Sequence, residues 1–187
     1  ARRPYIAGGF VWTGFDYRGE PTPFNRWPSI SSHFGIMDTC GFPKDNYYYY
    51  RAQWREEPLL HLLPHWNWRQ GEKIDVWCHT NLDSVELLLN GRSLGRRKVP
   101  RYGHAEWQVK YEPGVVEARG YREGKLVLTA RRETTGAPAG IVLEPDRESL
   151  RADGMDLSVV AVKIVDQQGR TVPTADNEVA FAVQGPG

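Results

Sequence analysis

The sequence predicts a mixed fold, in which one strand–loop–helix unit precedes all-β sandwich modules. Six of the seven tryptophans of this 187-residue chain lie at or before Trp77. The net charge changes from +1 over residues 1–58 to +4 over 59–136 and −4 over 137–187. Beyond residue 58 the apolar residues alternate with a period of two, which is typical of strands. We therefore divide the chain into three pieces with these bounds.

The first piece, 1–58, contains one strand and one helix. Residues 5–12 form a short apolar run, as expected for a strand buried on both faces in a parallel sheet. A proline-rich loop follows. Asp45 or Asn46 can cap a helix that continues to Trp54 and stops before Pro58. Because a single βα unit cannot bury its own faces, this piece must belong to something larger.

The second piece, 59–136, has the pattern of an antiparallel sandwich. The dipeptide Asn90-Gly91 is a strong hairpin signal between alternating runs. Six or so strands at short, regular spacing favour an immunoglobulin-like module. Among them are strands at residues 74–78, 85–89, 105–111, about 115–122 and about 125–132, with Glu123-Gly124 separating the last two.

The third piece, 137–187, is predicted to hold part of a second sandwich. Three apolar runs suit strands, and a turn over residues 166–169 separates the last two. Because three strands make only about half a sandwich, we expect the sequence to begin inside one domain and to end inside another. The runs cover residues 141–143, 157–165 and 179–183.

Composition excludes several classes of protein. A net charge of +1 does not suit a polybasic nucleic-acid binder. Two cysteines are too few for a disulfide scaffold. No apolar run approaches the roughly 20 residues that span a bilayer. His61 and His65 are four residues apart, but Pro64 between them rules out a helical zinc motif. We thus expect neither nucleic acid nor a membrane as a partner.

Several long motifs resemble glycoside hydrolase family 2, nearest to the bacterial β-galactosidases. They follow the family in colinear order and cover essentially the whole chain. The motifs are GFVWTGFDYRGEP over 9–21, WPSISSHFGI over 27–36, CGFPKD over 40–45, HLLPHWNW over 61–68, VELLLNGRSLG over 85–95 and ADGMDL over 152–157.

The resemblance implies where each piece belongs. Residues 1–58 resemble the eighth strand and closing helix of a (β/α)8 TIM barrel. Residues 59–136 resemble an immunoglobulin-like module after the barrel, and 137–187 the first part of another. Family members are retaining glycosidases that use two glutamates about 5 Å apart. Because the family places both after earlier barrel strands, we expect them upstream of Ala1, assign no catalytic residue here and expect the segment alone to be inactive.

The resemblance also implies part of a sugar pocket. Active sites of barrels lie at the carboxyl ends of the strands, where Trp12 falls. Its flat ring can pack against the C–H face of the sugar, and family members often carry a cis peptide after this tryptophan, here before Thr13. Trp27 and His33, on the following loop, are candidate pocket residues. Asp16 is expected to order the loop or to hydrogen-bond in the pocket.

Each of these residues also has a purely structural interpretation. Trp12 could close the barrel core, and Trp27 and His33 could serve only to pack the loop. Trp66 and Trp68, two residues apart, are predicted to share a strand face that packs on the barrel or, alternatively, binds carbohydrate.

The aromatic face of the helix, formed by Tyr47, Tyr50 and Trp54, is expected to cover the barrel. The basic cluster beside the hairpin, Arg96-Arg97-Lys98 with Arg101, is expected to be a solvated edge.

Family members can require Mg or Na, but no ligand set is assignable, so we expect no cofactor. The expected partners are a β-linked glycoside, the rest of the barrel and a second copy of the chain in a homo-oligomer.

Two rival functions remain open at this point. In the first, the β modules themselves bind carbohydrate. In the second, they only brace the barrel. The substrate is expected to be a terminal β-D-galactoside, with a β-glucuronide or another β-glycoside as the alternative. The compartment depends on sequence outside this chain.

Overall fold

Two facing antiparallel sheets dominate the computed structural model, which describes residues 5–21, 24–25 and 29–185. One sheet has the strand order β1-β2-β5 and the other β4-β3-β6-β7. Their inner faces form the main core, so that residues 60–133 make a β-sandwich. The strands are β1 (Leu60–Leu63), β2 (Lys73–Thr80), β3 (Ser84–Leu89), β4 (Arg92–Lys98), β5 (Ala105–Lys110), β6 (Val115–Arg122) and β7 (Lys125–Glu133).

Period-two alternation explains the core of this sandwich. In β5 every second residue is buried, and β2 alternates in the same way over its first half. The hairpin between β3 and β4 turns at Asn90-Gly91, where both residues have positive φ angles of 51° and 80°. This geometry matches the predicted two-residue turn. The side chains of Leu62, Val85 and Leu87 are fully buried between the sheets.

Strand β4 forms an exposed edge of the second sheet. It pairs only with β3 among the described strands, and most of its residues are exposed. Arg96, Arg97 and Lys98 lie on it. Charged residues on an edge strand discourage pairing with a strand of another molecule. The basic cluster predicted beside the hairpin is therefore a solvated edge.

The two neighbouring tryptophans after β1 differ from expectation. A common strand face is predicted for Trp66 and Trp68, but both lie in the irregular segment after the strand. Trp66 is buried in the sandwich core, and its Nε1 donates to the carbonyl of Glu112 at 3.1 Å. Trp68 instead stacks on His65 with ring centroids 4.5 Å apart. Trp66 and Trp68 therefore do not share a strand face, and Trp66 is withdrawn into the core.

The last piece forms a two-stranded sheet. Strands β8 (Gly140–Pro145) and β9 (Val160–Val165) pair antiparallel. The third predicted strand, over residues 179–183, is not formed. Its phenylalanine, Phe181, is 74% exposed. The described residues therefore show a sheet with open apolar surface, as expected for part of a sandwich.

The first piece keeps its helix but not its strand. Helix α1 (Asp45–Trp54) has the predicted extent. Its N-cap is Lys44, without a side-chain cap, instead of Asp45 or Asn46. The strand predicted over residues 5–12 is not formed, and these residues are exposed. A strand requires hydrogen-bonded neighbours, and no described segment of this chain pairs with residues 5–12. The TIM-barrel part of the predicted fold is thus not shown, whereas the β-sandwich is.

Candidate functional site

The loop between Trp12 and α1 is built from two stretches of chain lying side by side. The amide of Ile36 donates to the carbonyl of Thr13 at 3.1 Å, and that of Met37 donates to the carbonyl of Gly14 at 2.9 Å. In return, the amide of Asp16 donates to the carbonyl of Met37 at 2.9 Å. These backbone bonds give the loop a defined shape despite its lack of regular strands.

Asp16 anchors this loop from inside. Its side chain is buried, and its Oδ1 accepts a hydrogen bond of 2.7 Å from the amide of Gly35. Its Oδ2 lies 2.5 Å from Nζ of Lys44. Burial opposes ionisation of this carboxyl, but the hydrogen bonds from Lys44 and Gly35 outweigh it and hold the pKa below its usual value. Asp16 is therefore an ionised structural anchor at neutral pH.

Gly35 allows the two stretches to approach closely. A Cβ atom on this residue would lie 2.3 Å from the backbone nitrogen of Asp16 and 2.4 Å from the carbonyl carbon of Phe15. Backbone atoms cannot move aside as a flexible side chain can. Only glycine fits here without a shift of the loop.

Trp12 presents an open ring beside this anchored loop. Its side chain is 73% exposed, and Nε1 donates to the hydroxyl of Tyr17 at 3.3 Å. The Tyr17 ring packs edge-to-face on Phe34, with centroids 5.9 Å apart. The peptide between Trp12 and Thr13 is cis, as the resemblance implies. An indole held by its nitrogen, with much of its ring exposed, can accept an apolar surface.

The other predicted pocket residues are distributed as follows. His33 is exposed, and its carbonyl accepts a hydrogen bond from Nζ of Lys44 at 3.1 Å. Lys44 thus joins His33 to Asp16. Trp27 lies outside the described residues. Among the four predicted residues, the structure places Trp12, Asp16 and His33 on one loop system, and their contact with a substrate stays a prediction.

Several aromatic side chains of the first piece are exposed besides Trp12. Phe10 is fully exposed, and Phe15 and Phe24 are more than half exposed. Large exposed apolar side chains are candidates for association or ligand binding. On α1, an open cavity of about 470 Å³ is lined by Ile36, Tyr47, Tyr50, Arg51, Trp54 and Arg55. The predicted aromatic face of α1 is therefore available to a covering domain.

The described residues offer no evident place for a metal ion. Within residues 5–21, 24–25 and 29–185, no group of three His, Cys, Asp or Glu side chains could hold one. In the same residues, no helix has the length and apolarity needed to cross a membrane.

Two family models match separate parts of the chain. Residues 71–128 match a domain of unknown function (DUF4982), and residues 141–187 match the glycoside hydrolase family 2 C-terminal domain 5. The β-galactosidase BoGH2A of Bacteroides ovatus is 51% identical over 185 residues, which cover 98% of this chain and 22% of that protein. The chain belongs to glycoside hydrolase family 2 and corresponds to a C-terminal portion of such a protein.

Further relatives agree with this family assignment. A putative β-glucuronidase of Formosa agariphila is 39% identical over 197 residues, covering 97% of this chain and 18% of that protein. A solved β-glycosidase from Bacteroides vulgatus superposes with a TM-score of 0.83 at 38% identity, covering 92% of this chain and 22% of that one. The family 2 chain described here spans about a fifth of the length of these relatives.

Sequence reasoning missed two residues of the loop system, Lys44 and Gly35. Lys44 stands in the CGFPKD motif, but its pairing with Asp16 is a long-range contact. Gly35 donates its amide across a separation of nineteen residues. One signal was available, because Gly35 lies within the recognised motif over 27–36, and a glycine in a loop motif often marks a close backbone approach.

Proposed function

We propose that this chain is the C-terminal part of a retaining glycoside hydrolase that cleaves terminal β-D-galactosides. In this proposal, residues 1–58 complete a TIM barrel, 59–136 form an immunoglobulin-like sandwich and 137–187 begin a second one. The glycoside hydrolase family supports the reaction class. The half-identical relative named a β-galactosidase favours the galactoside.

Trp12 carries the proposal for the pocket. Its ring is open, while the backbone beside it is fixed by the buried Asp16 and by Gly35. A preorganised aromatic surface binds the apolar face of a sugar at little entropic cost. Asp16 has both oxygens occupied by Gly35 and Lys44, and therefore shapes the pocket wall from behind. His33, exposed on the same loop system, and Trp27 are proposed as further pocket residues.

The chemistry itself requires a carboxylic acid and a carboxylate about 5 Å apart across the scissile bond. We assign neither role to a residue of this chain. Its contribution is to orient the sugar and to exclude water on one side of the pocket, which helps to hold the anomeric carbon in line with the nucleophile. Accordingly, the segment alone should have no hydrolase activity.

Substitution of Trp12 in the full-length protein tests the pocket assignment. We expect Trp12→Ala to lower kcat/KM for an aryl β-galactoside by about tenfold or more, and Trp12→Phe to retain part of the activity. Trp77→Ala is the matched control, since Trp77 is a partly exposed tryptophan on the outer face of the sandwich. Equal loss in both alanine variants would contradict the pocket role of Trp12.

A β-glucuronide is the second candidate substrate, because other relatives are named β-glucuronidases. The same full-length protein is assayed with aryl β-galactoside and aryl β-glucuronide at matched concentrations. The higher kcat/KM identifies the sugar. A preference for the glucuronide would refute the galactoside proposal and leave the role of Trp12 to be tested with the preferred substrate.

A further inference from the structure

One histidine of the sandwich, His61, makes two contacts with helix α1. His61, on β1, donates from Nε2 to Oδ1 of Asp45 at 2.7 Å. The ring of Tyr48 stacks on the ring of His61, with centroids 3.8 Å apart and planes 8° from parallel. His61 is therefore held by two side chains of the first turn of α1.

The residue before Asp45 is bonded to the Trp12 loop instead of to the sandwich. Lys44 precedes Asp45, and its amide donates to the carbonyl of Ile36 at 3.1 Å. Its amine reaches both Asp16 and the carbonyl of His33. Two adjacent residues thus connect the sandwich to the Trp12 loop. Asp45 is the first residue of α1, after the N-cap Lys44, and its Oδ1 accepts the hydrogen bond from His61.

We propose that His61 and Asp45 are positioning residues for sugar binding, through which the sandwich sets the Trp12 loop. The first turn of α1 fixes the backbone of Lys44, and Lys44 fixes Asp16. This inference rests on the proposed function, since it takes Trp12 to lie against the sugar. It gives the sandwich a role in substrate affinity, in addition to any support that it gives the barrel.

The electrostatics of the junction agree with this arrangement. The hydrogen bond from His61 is the main cause that holds the pKa of Asp45 below its usual value, against the opposing effect of burial. Asp45 is therefore charged at neutral pH, and its bond to His61 is of the stronger, charge-assisted kind.

The test compares variants of the full-length protein that break different bonds of the same interface. Asp45→Ala and His61→Ala remove the connection, whereas Asp45→Asn keeps an oxygen that can accept from His61. Tyr49→Phe is the matched control. It removes another bond from α1 to the sandwich, from the Tyr49 hydroxyl to the carbonyl of Tyr102 at 2.7 Å, without touching Lys44.

Two quantities are measured, the inhibition constant of free galactose and the hydrogen exchange of the Gly35 amide. We expect about a fivefold rise in the inhibition constant and faster exchange in Asp45→Ala and His61→Ala. We expect intermediate values in Asp45→Asn, which loses the charge but keeps an accepting oxygen, and near-normal values in Tyr49→Phe. Equal effects in Tyr49→Phe, or unchanged values in Asp45→Ala, overturn the proposal, because the connection would then be merely structural.

The two readouts separate this inference from the proposed function. If Trp12→Ala leaves the inhibition constant unchanged, the pocket assignment fails, and with it the effect on affinity. The exchange of Gly35 still shows whether the His61–Asp45 pair fixes the loop. If exchange is unchanged in Asp45→Ala while the inhibition constant rises, the proposed route through Lys44 is wrong.

Discussion

Removing the charge of Asp16 should destabilise the loop between Trp12 and α1. The size of this effect should depend on whether Lys44 is present. The perturbation is a double-mutant cycle of Asp16→Asn, Lys44→Met and the double variant. Asparagine keeps an oxygen for the Gly35 amide but loses the ion pair. The cycle therefore isolates the interaction between the two charged groups.

The structure sets the expected magnitude. A hydrogen bond that involves a charged group contributes about 1.5–3 kcal/mol. The Asp16 side chain is buried, but that of Lys44 is 32% exposed, so water screens part of the interaction. We expect a coupling at the low end, about 1.5 kcal/mol. Asp16→Ala should destabilise the loop by about 1–3 kcal/mol more than Asp16→Asn does, since it leaves the buried amide of Gly35 without a partner.

The assay is hydrogen exchange of residues 33–37 in the full-length protein. A coupling of that size corresponds to about tenfold in the opening equilibrium. Because the folded pKa of Asp16 lies below the ordinary 3.8, the stabilisation should be complete above about pH 5 and lost as the pH falls through the folded value. Lys98→Met removes an exposed positive charge on β4 as a control. Additive effects of Asp16→Asn and Lys44→Met would refute the reasoning.

Three further predictions concern the fold. Gly35→Ala should accelerate exchange across the Trp12 loop, since its Cβ would meet backbone; normal exchange would contradict the close approach. Leu87→Ala should destabilise the sandwich by about 2–5 kcal/mol in urea unfolding, whereas Leu126→Ala, 54% exposed, should change little; equal effects would disprove the assigned core. Burial, with His104 and His61 nearby, lowers the pKa of His79 to about 4. Unfolding should therefore become easier as the pH falls from about 6.5 towards 4, by less than about 1.4 kcal/mol per pH unit; His79→Gln should flatten this dependence.

The sandwich was predictable because its signals are local. Alternation over two residues locates β2, β3 and β5, and the dipeptides Asn90-Gly91 and Glu123-Gly124 locate two turns, each with positive φ at both residues. Strand β1 was missed because it has only four residues and no clean alternation. Trp66 was placed on a strand face because spacing alone does not show that the chain leaves the sheet after Leu63.

Of the candidate site, the sequence predicted only the features that the recognised motifs carry. The family resemblance pointed to Trp12 and to the cis peptide that follows it. It did not pair Asp16 with Lys44 or Asp45 with His61, because these contacts join residues that are distant along the chain. The strand predicted over residues 5–12 failed for a related reason. Apolar character allows a strand, but hydrogen-bonding neighbours are needed to form it.

The arginines and lysine of β4 have a consequence for how copies of this protein meet. A positively charged rim repels the same rim on another molecule, so concentrated solutions should not polymerise by joining sheet to sheet along this side. The exposed apolar side chains, such as Phe10 and Trp12 in the first piece and Leu143 and Phe181 in the last, carry no charge that would repel another copy. Any self-association of this chain should therefore involve such apolar surface, and mild detergent should weaken it where added salt does not.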